Sequence, residues 1–197
     1  MYDEPIHNLI RAFKKLPTVG GRTAERFVFH LLRSGKKDVA EMTLALKQVI
    51  EHIKSCETCC NFSSTSPCNI CANPKRNKTK ICVVAQPQDV VVIEKVGIHN
   101  GVYHILRGTI SQDFEDKRNS IKIDDLCKRI TEEEVSEIIL ALSPDLPGET
   151  TMMFLEKACK KIRPDITVTK LARGLPMGSD LQYTDDMTLE SAFTNRK

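Results

Sequence analysis

A multi-domain α/β chain is what this sequence predicts, and three observations predict it. Apolar residues recur at helical spacing from Ile6 to Ile53. Two Cys-x-x-Cys pairs follow between Cys56 and Cys71. From Ile81 onward, short β-type apolar runs alternate with helical ones, the order that builds a parallel sheet with helices on both faces.

Ile6, Leu9, Ile10, Phe13 and Leu16 place a helix over residues 5–16, which Pro17 stops. The turn Thr18-Val19-Gly20-Gly21 leads into a second helix marked by Ala24, Phe27, Val28, Leu31 and Leu32, ending near Ser34-Gly35. A third helix is expected to begin at Asp38, with Glu41 completing a capping box and Val39, Met42, Leu46, Val49 and Ile53 forming its apolar face. It runs straight into Cys56.

After the basic stretch 73–80, residues 81–85 read as a buried strand, 89–96 as a helix ending at Gly97, and 102–106 as a second strand. Residues 113–120 read as a charged loop. Ile123, Leu126, Cys127 and Ile130 mark a helix, 137–142 a strand, 148–162 a helix and 166–172 a last strand. The tail from Arg173 is rich in turn formers, with a short helix over 188–193.

Apolar runs such as Val90–Ile93 and Ile138–Leu142 fall far short of the ~20 residues a membrane helix needs. The opening Met-Tyr-Asp-Glu lacks the basic-then-apolar order of a signal peptide, so a soluble cytoplasmic protein without membrane partners is expected. Residues 1–80 hold 14 Lys and Arg against 7 Asp and Glu, an excess of +7. The overall charge of +3 then leaves −4 for the rest, so phosphate contacts belong at the basic N-terminal end.

Eight cysteines without an export signal point to metal binding rather than disulfides. Cys56, Cys59, Cys68 and Cys71 form two knuckles in Cys-x2-Cys-x8-Cys-x2-Cys spacing, which can place four thiolates around one tetrahedral Zn²⁺. Cys60 is a geometrically possible substitute for Cys59, which is preferred because it makes the knuckles alike. No further ligand or open position is suggested, so the ion is read as structural. Cys82, Cys127 and Cys159 lie in apolar-periodic segments and read as small buried hydrophobes.

The segment Leu16-Pro-Thr-Val-Gly20-Gly-Arg22-Thr-Ala24 resembles the helix-hairpin-helix DNA-binding motif, in which a Gly-bearing turn presents backbone N–H groups to a phosphate. Gly20 supplies that turn, and Arg22 and Arg26 lie one helical turn apart on one face. Thr18 stands where the motif usually has Gly. Asp89, Glu94, Asp145 and Glu149 could suggest a Mg²⁺ site, but read as surface carboxylates, because the strand ends offer too few converging acids. His99 and His104 read as structural.

The order of these pieces is specific. The hairpin and the cysteine knuckles are followed by Ile81-Cys-Val-Val84, Gly101-Val-Tyr-His-Ile-Leu106, Glu137-Ile-Ile-Leu-Ala141 and Ala172-Arg-Gly-Leu-Pro-Met-Gly-Ser-Asp-Leu181. Nearly the whole chain thereby resembles the RecR family of bacterial recombination mediators. The resemblance implies a helix-hairpin-helix domain over 1–54, a four-cysteine zinc finger over 55–79, a Toprim-like α/β domain over 80–172, and a Walker-B-like segment and helix over 173–197. It implies a non-enzymatic protein, commonly a tetrameric ring, that clamps DNA and acts with RecO and RecF to load RecA at single-stranded gaps.

By position, Arg22 and Arg26 match the family's basic hairpin residues. The glutamate expected after the first Toprim strand falls on Ala85, Asn-Pro-Thr after the third reads Ser143-Pro144-Asp145, and a Glu before Gly148 is Pro147. Glu149 survives. If Toprim acids help hold RecO, the departures imply that this chain docks it differently, with Asp89 and Glu149 left to do so, or lacks that partner. The alternative is a Toprim-type Mg²⁺-dependent nuclease or primase-like enzyme using Asp89, Asp145 and Glu149. A zinc-stabilised scaffold without a DNA role is the third reading.

Overall fold

The computed structural model describes residues 2–110 and 121–196, so the charged loop expected over 113–120 lies outside the described residues. The chain divides into two compact units, Met1–Ile53 and Lys54–Lys197.

The first unit is helical: α1 (Glu4–Phe13), α2 (Gly21–Ser34) and α3 (Lys36–His52). Ala24 and Val28 form its buried centre, and Phe13 packs edge-on against Phe27 at 5.7 Å between ring centroids. Two expectations are corrected here. The first helix ends at Phe13, after which Lys15 and Leu16 make tighter turn bonds to Ala12 and Phe13. The third helix begins at Lys36, and the Asp38–Glu41 capping box does not form. Gly35, at φ 96, makes the break between α2 and α3, so Asp38 already lies inside the first helical turn.

The second unit opens with β1 (Lys54–Ser55) and β2 (Phe62–Ser63), a short antiparallel pair that the sequence reading did not anticipate, followed by α4 (Asn69–Ala72). Then come β3 (Asn77–Val84), α5 (Pro87–Val96), β4 (Gly101–Ile105), α6 (Ile123–Glu132), β5 (Glu137–Leu140), α7 (Leu146–Ile162), β6 (Thr167–Lys170) and α8 (Asp186–Thr194). The four longer strands make a parallel sheet in the order β4-β3-β5-β6.

Several boundaries move. The first strand starts four residues early and ends at Val84, and the strand expected over 137–142 stops at Leu140. Three helices start two residues before the expected position because their caps were missed. Asp145 caps α7 and Asp185 caps α8, each accepting a backbone N–H with its side chain. Pro87 at the start of α5 presets the first turn, and Asp89 accepts from the Gln86 N–H at 2.8 Å. At the β5–α7 turn a Cβ on Gly148 would run into the Ser143 carbonyl oxygen, so only glycine fits.

Strand alternation sorts the sheet into two cores. Ile81, Val83, Val102, Leu106, Ile138 and Leu140 face α6 and α7, meeting Leu126, Ile130, Met152 and Leu155. Cys82, Val84, Tyr103 and Ile105 face the other way, against Val90 of α5 and the four knuckle cysteines. The cysteine module thus does on one face what a covering helix would do.

His104 is fully buried in β4; its Nε2 meets the Lys122 carbonyl at 2.7 Å and its Nδ1 has no partner among the described residues. Burial holds it down to about 4 against the Lys122 hydrogen bond. No helix among the described residues is long and apolar enough to cross a membrane.

Candidate metal centre and nucleic-acid interface

Cys56, Cys59, Cys68 and Cys71 are all buried, and their four sulfur atoms lie within 4.8 Å of one another. The Cys59–Cys68 sulfur pair is 3.6 Å apart. A tetrahedral Zn–S₄ site, with bonds of about 2.3 Å, has sulfur–sulfur edges of about 3.8 Å, so the cluster has the right size. Among the described residues this is the one group of cysteines, histidines and carboxylates arranged to hold a metal.

The knuckle backbone prepares the sulfurs for an ion. The Cys68 N–H donates to Cys56 Sγ at 3.3 Å. Burial pushes the Cys56 thiol up, but backbone N–H groups of Cys59, Cys68 and Thr58 outweigh it and bring it to about 7. Cys59 is driven above the usual thiol range, first by its hydrogen bond with Cys71 and then by burial, and burial also raises Cys68. The sulfurs cannot all ionise at neutral pH without a cation to share, and a divalent soft-acceptor ion is what the donor set fits.

Cys60 is buried but outside the cluster, in left-handed backbone at φ 62. Its N–H donates to the Cys56 carbonyl at 2.9 Å and closes the first knuckle turn. The module is tied to the sheet through β4: the Ile105 N–H donates to the Cys59 carbonyl at 2.9 Å, and Arg107 Nε donates to the Cys60 carbonyl at 2.9 Å. Arg76 makes a second tie. It pairs with Glu94 of α5 and donates to the His99 carbonyl at 3.0 Å, while the Tyr103 hydroxyl donates to Glu94 at 2.6 Å. Glu94 is therefore a half-buried structural acid, not the surface carboxylate expected, and its Arg76 partner holds its carboxyl below the usual range.

In the helical unit, Gly20 is the N-cap of α2, extended at ψ 174 and with no side-chain cap bond. Among the described residues the N–H groups of Gly21, Arg22 and Thr23 have no acceptor, and Ala24 makes the first helical bond back to the Gly20 carbonyl at 2.9 Å. Arg22 and Arg26 are exposed on the outer side of α2, away from Ala24 and Val28, and neither makes an ion pair among the described residues. Lys14 and Lys15, exposed in the preceding turn, add charge that periodicity alone did not single out. Free N–H donors at the positive end of a helix dipole, with exposed cations nearby in sequence, are the elements from which anion sites are built.

Thr18 adopts φ 64, left-handed backbone that a β-branched residue rarely takes. Thr18→Gly is expected to leave stability unchanged or raise it by up to about 1 kcal/mol, as relief of strain offsets the added freedom of the unfolded chain. A fall in the urea midpoint would show that the threonine side chain is needed there.

The sheet's carboxylates do not gather. Asp89 and Asp145 serve as helix-start acceptors, and Glu149 pairs with Arg173 of the C-terminal segment. Ala85 follows β3 and packs into the apolar core.

Comparison with known proteins matches three parts of the chain to family models: "RecR, helix-hairpin-helix" over residues 6–50, "Toprim domain" over 79–172 and "RecR, C-terminal" over 174–197. The chain is similar to "Recombination protein RecR" from two type A strains of Clostridium perfringens. Each is 42% identical over 195 residues, spanning 99% of this chain and 97% of the relative.

Proposed function

The chain belongs to the RecR family of recombination proteins, and from that premise we propose that it is a non-enzymatic, cytoplasmic DNA-binding mediator of recombinational repair. In this reading several copies, four by family habit, close as a ring or clamp on DNA and help RecO and RecF load RecA onto single-stranded gaps. The observation that carries it is the start of α2, where unpaired N–H groups beside Gly20 lie next to Arg22 and Arg26 on an exposed face.

Functionally the chain reads as a DNA-binding domain over 1–54, a zinc finger over 55–79, a Toprim-like domain over 80–172 and a C-terminal segment over 173–197. One structural Zn²⁺ on Cys56, Cys59, Cys68 and Cys71 is proposed for the finger; its size, burial and all-sulfur donors support that ion. Asp89 and Glu149 are proposed to face RecO, and Glu149 can do so only by exchanging Arg173 for a basic group on the partner. The same engagements weigh against the nuclease or primase reading, because Asp89, Asp145 and Glu149 are each held by a separate partner.

The test is the joint Arg22→Ala and Arg26→Ala variant, titrated with DNA across a range of salt. Losing two phosphate contacts should weaken binding and flatten the log–log salt slope by about 1.8 on duplex or about 1.4 on single strands. An unchanged affinity and slope would remove this face from the interface.

A further inference from the structure

The cysteine module carries an aromatic ring that its packing does not use. Phe62 of β2 keeps 55% of its surface exposed. The Arg107 guanidinium lies over the ring, 4.2 Å from its centroid. Arg107 is itself fixed. Its Nε donates to the Cys60 carbonyl at 2.9 Å and a terminal nitrogen donates to Ser55 Oγ at 2.8 Å. Its backbone sits at φ 63, a conformation that a residue with a Cβ keeps only where its surroundings hold it there. Phe62 pairs with Ser55 across the hairpin, and the exposed Lys54 pairs with Ser63 beside it.

One side of the ring is thus taken by an anchored cation, yet half its surface faces water. We infer that Phe62 is a stacking platform for an unpaired base of single-stranded DNA, with Arg107 and Lys54 supplying charge for the adjoining phosphates. The inference rests on the reading of the chain as DNA-binding and adds to it a second contact, on the other unit of the chain, that selects strand type. Every base offers a π face when unpaired, and a duplex hides those faces in its own stack. Arginine behind the ring completes a cation–aromatic–base stack.

The chain contains no tryptophan, so Phe62→Trp places a single, selectively excitable tryptophan at the platform. The zinc-loaded variant is titrated with oligothymidylate and with a duplex of equal length, while labelled DNA reports total binding by anisotropy. Saturable quenching by the single strand and little by the duplex is expected. A second variant, Phe62→Leu, keeps an apolar side chain and removes the π face. It should lower single-strand affinity about 5- to 150-fold and leave duplex affinity unchanged, with one zinc per chain certifying the fold.

Single-strand binding seen by anisotropy without quenching overturns the platform and leaves the α2 interface standing. Equal quenching or equal loss on duplex overturns the strand selectivity. Emission that changes with protein concentration alone assigns the ring to a contact between copies. Failure of the parent protein to bind any DNA overturns both this inference and the reading beneath it.

Discussion

Removing the proposed Zn²⁺ is expected to unfold the cysteine module and to strip one face of the sheet. The four sulfurs are part of a buried core with Val84, Tyr103, Ile105 and Val90, so their loss is not confined to a surface loop. Structural Zn²⁺ in four-cysteine sites binds with roughly 10–16 kcal/mol of apparent free energy, while a whole domain is stable by about 5–15 kcal/mol. Chelation should therefore collapse the thermal transition and expose apolar surface to a dye, with impaired DNA binding as a consequence. Cys59→Ser should lose stoichiometric zinc and melt at a much lower temperature. Cys60→Ser should keep one zinc per chain, because Cys60 stands outside the cluster. A reversed outcome would exchange the ligand assignment, and a metal-free protein with an unchanged transition would refute the site.

The second large effect concerns His104 and acid. The folded chain holds His104 down to about 4, because burial in β4 disfavours the imidazolium, whereas an unfolded histidine titrates near 6.5. The sign follows directly. Above pH ~6.5 the ring is neutral in both states and its stability is fully present. As pH falls through the window from ~6.5 to about 4, the unfolded chain takes up a proton that the folded chain refuses, so stability is lost. Between pH ~7.5 and pH ~5 that loss amounts to about 2 kcal/mol. His104→Gln keeps a donor for the Lys122 carbonyl and cannot titrate, so its urea stability should fall by that much less over the same interval. Comparing the two proteins cancels the acid lability of the cysteine site that they share. Identical pH slopes would mean that His104 is not a source of acid sensitivity.

What could be read in the sequence was what short spacing encodes. The knuckles are legible because only two residues separate paired ligands, and α2 because Ala24, Val28 and Leu31 repeat on one side. The parallel sheet is legible because buried parallel strands are apolar throughout, as Ile81–Val84 is. The missed parts join residues far apart in the chain. Arg107 reaches back to Ser55 and Cys60, Arg76 crosses to Glu94 and the His99 carbonyl, and Arg173 pairs with Glu149. Nothing local distinguishes these arginines from solvated ones, so the acids they hold were read as surface groups. The helix starts were misread for a different reason. Asp38 looked like a cap but lies beyond the break that Gly35 makes, while Asp145 and Asp185 are caps whose helices were placed too late.

The proposed ring would give the proposed DNA-facing hairpin its use, since one hairpin per copy makes a clamp only when copies close around the strand. Light scattering of the zinc-loaded protein, alone and with gapped DNA, tests it most directly. Four copies of the 22.2 kDa chain give about 89 kDa, and the account predicts that closed assembly, retained when DNA is bound. A strict monomer in both conditions would contradict it.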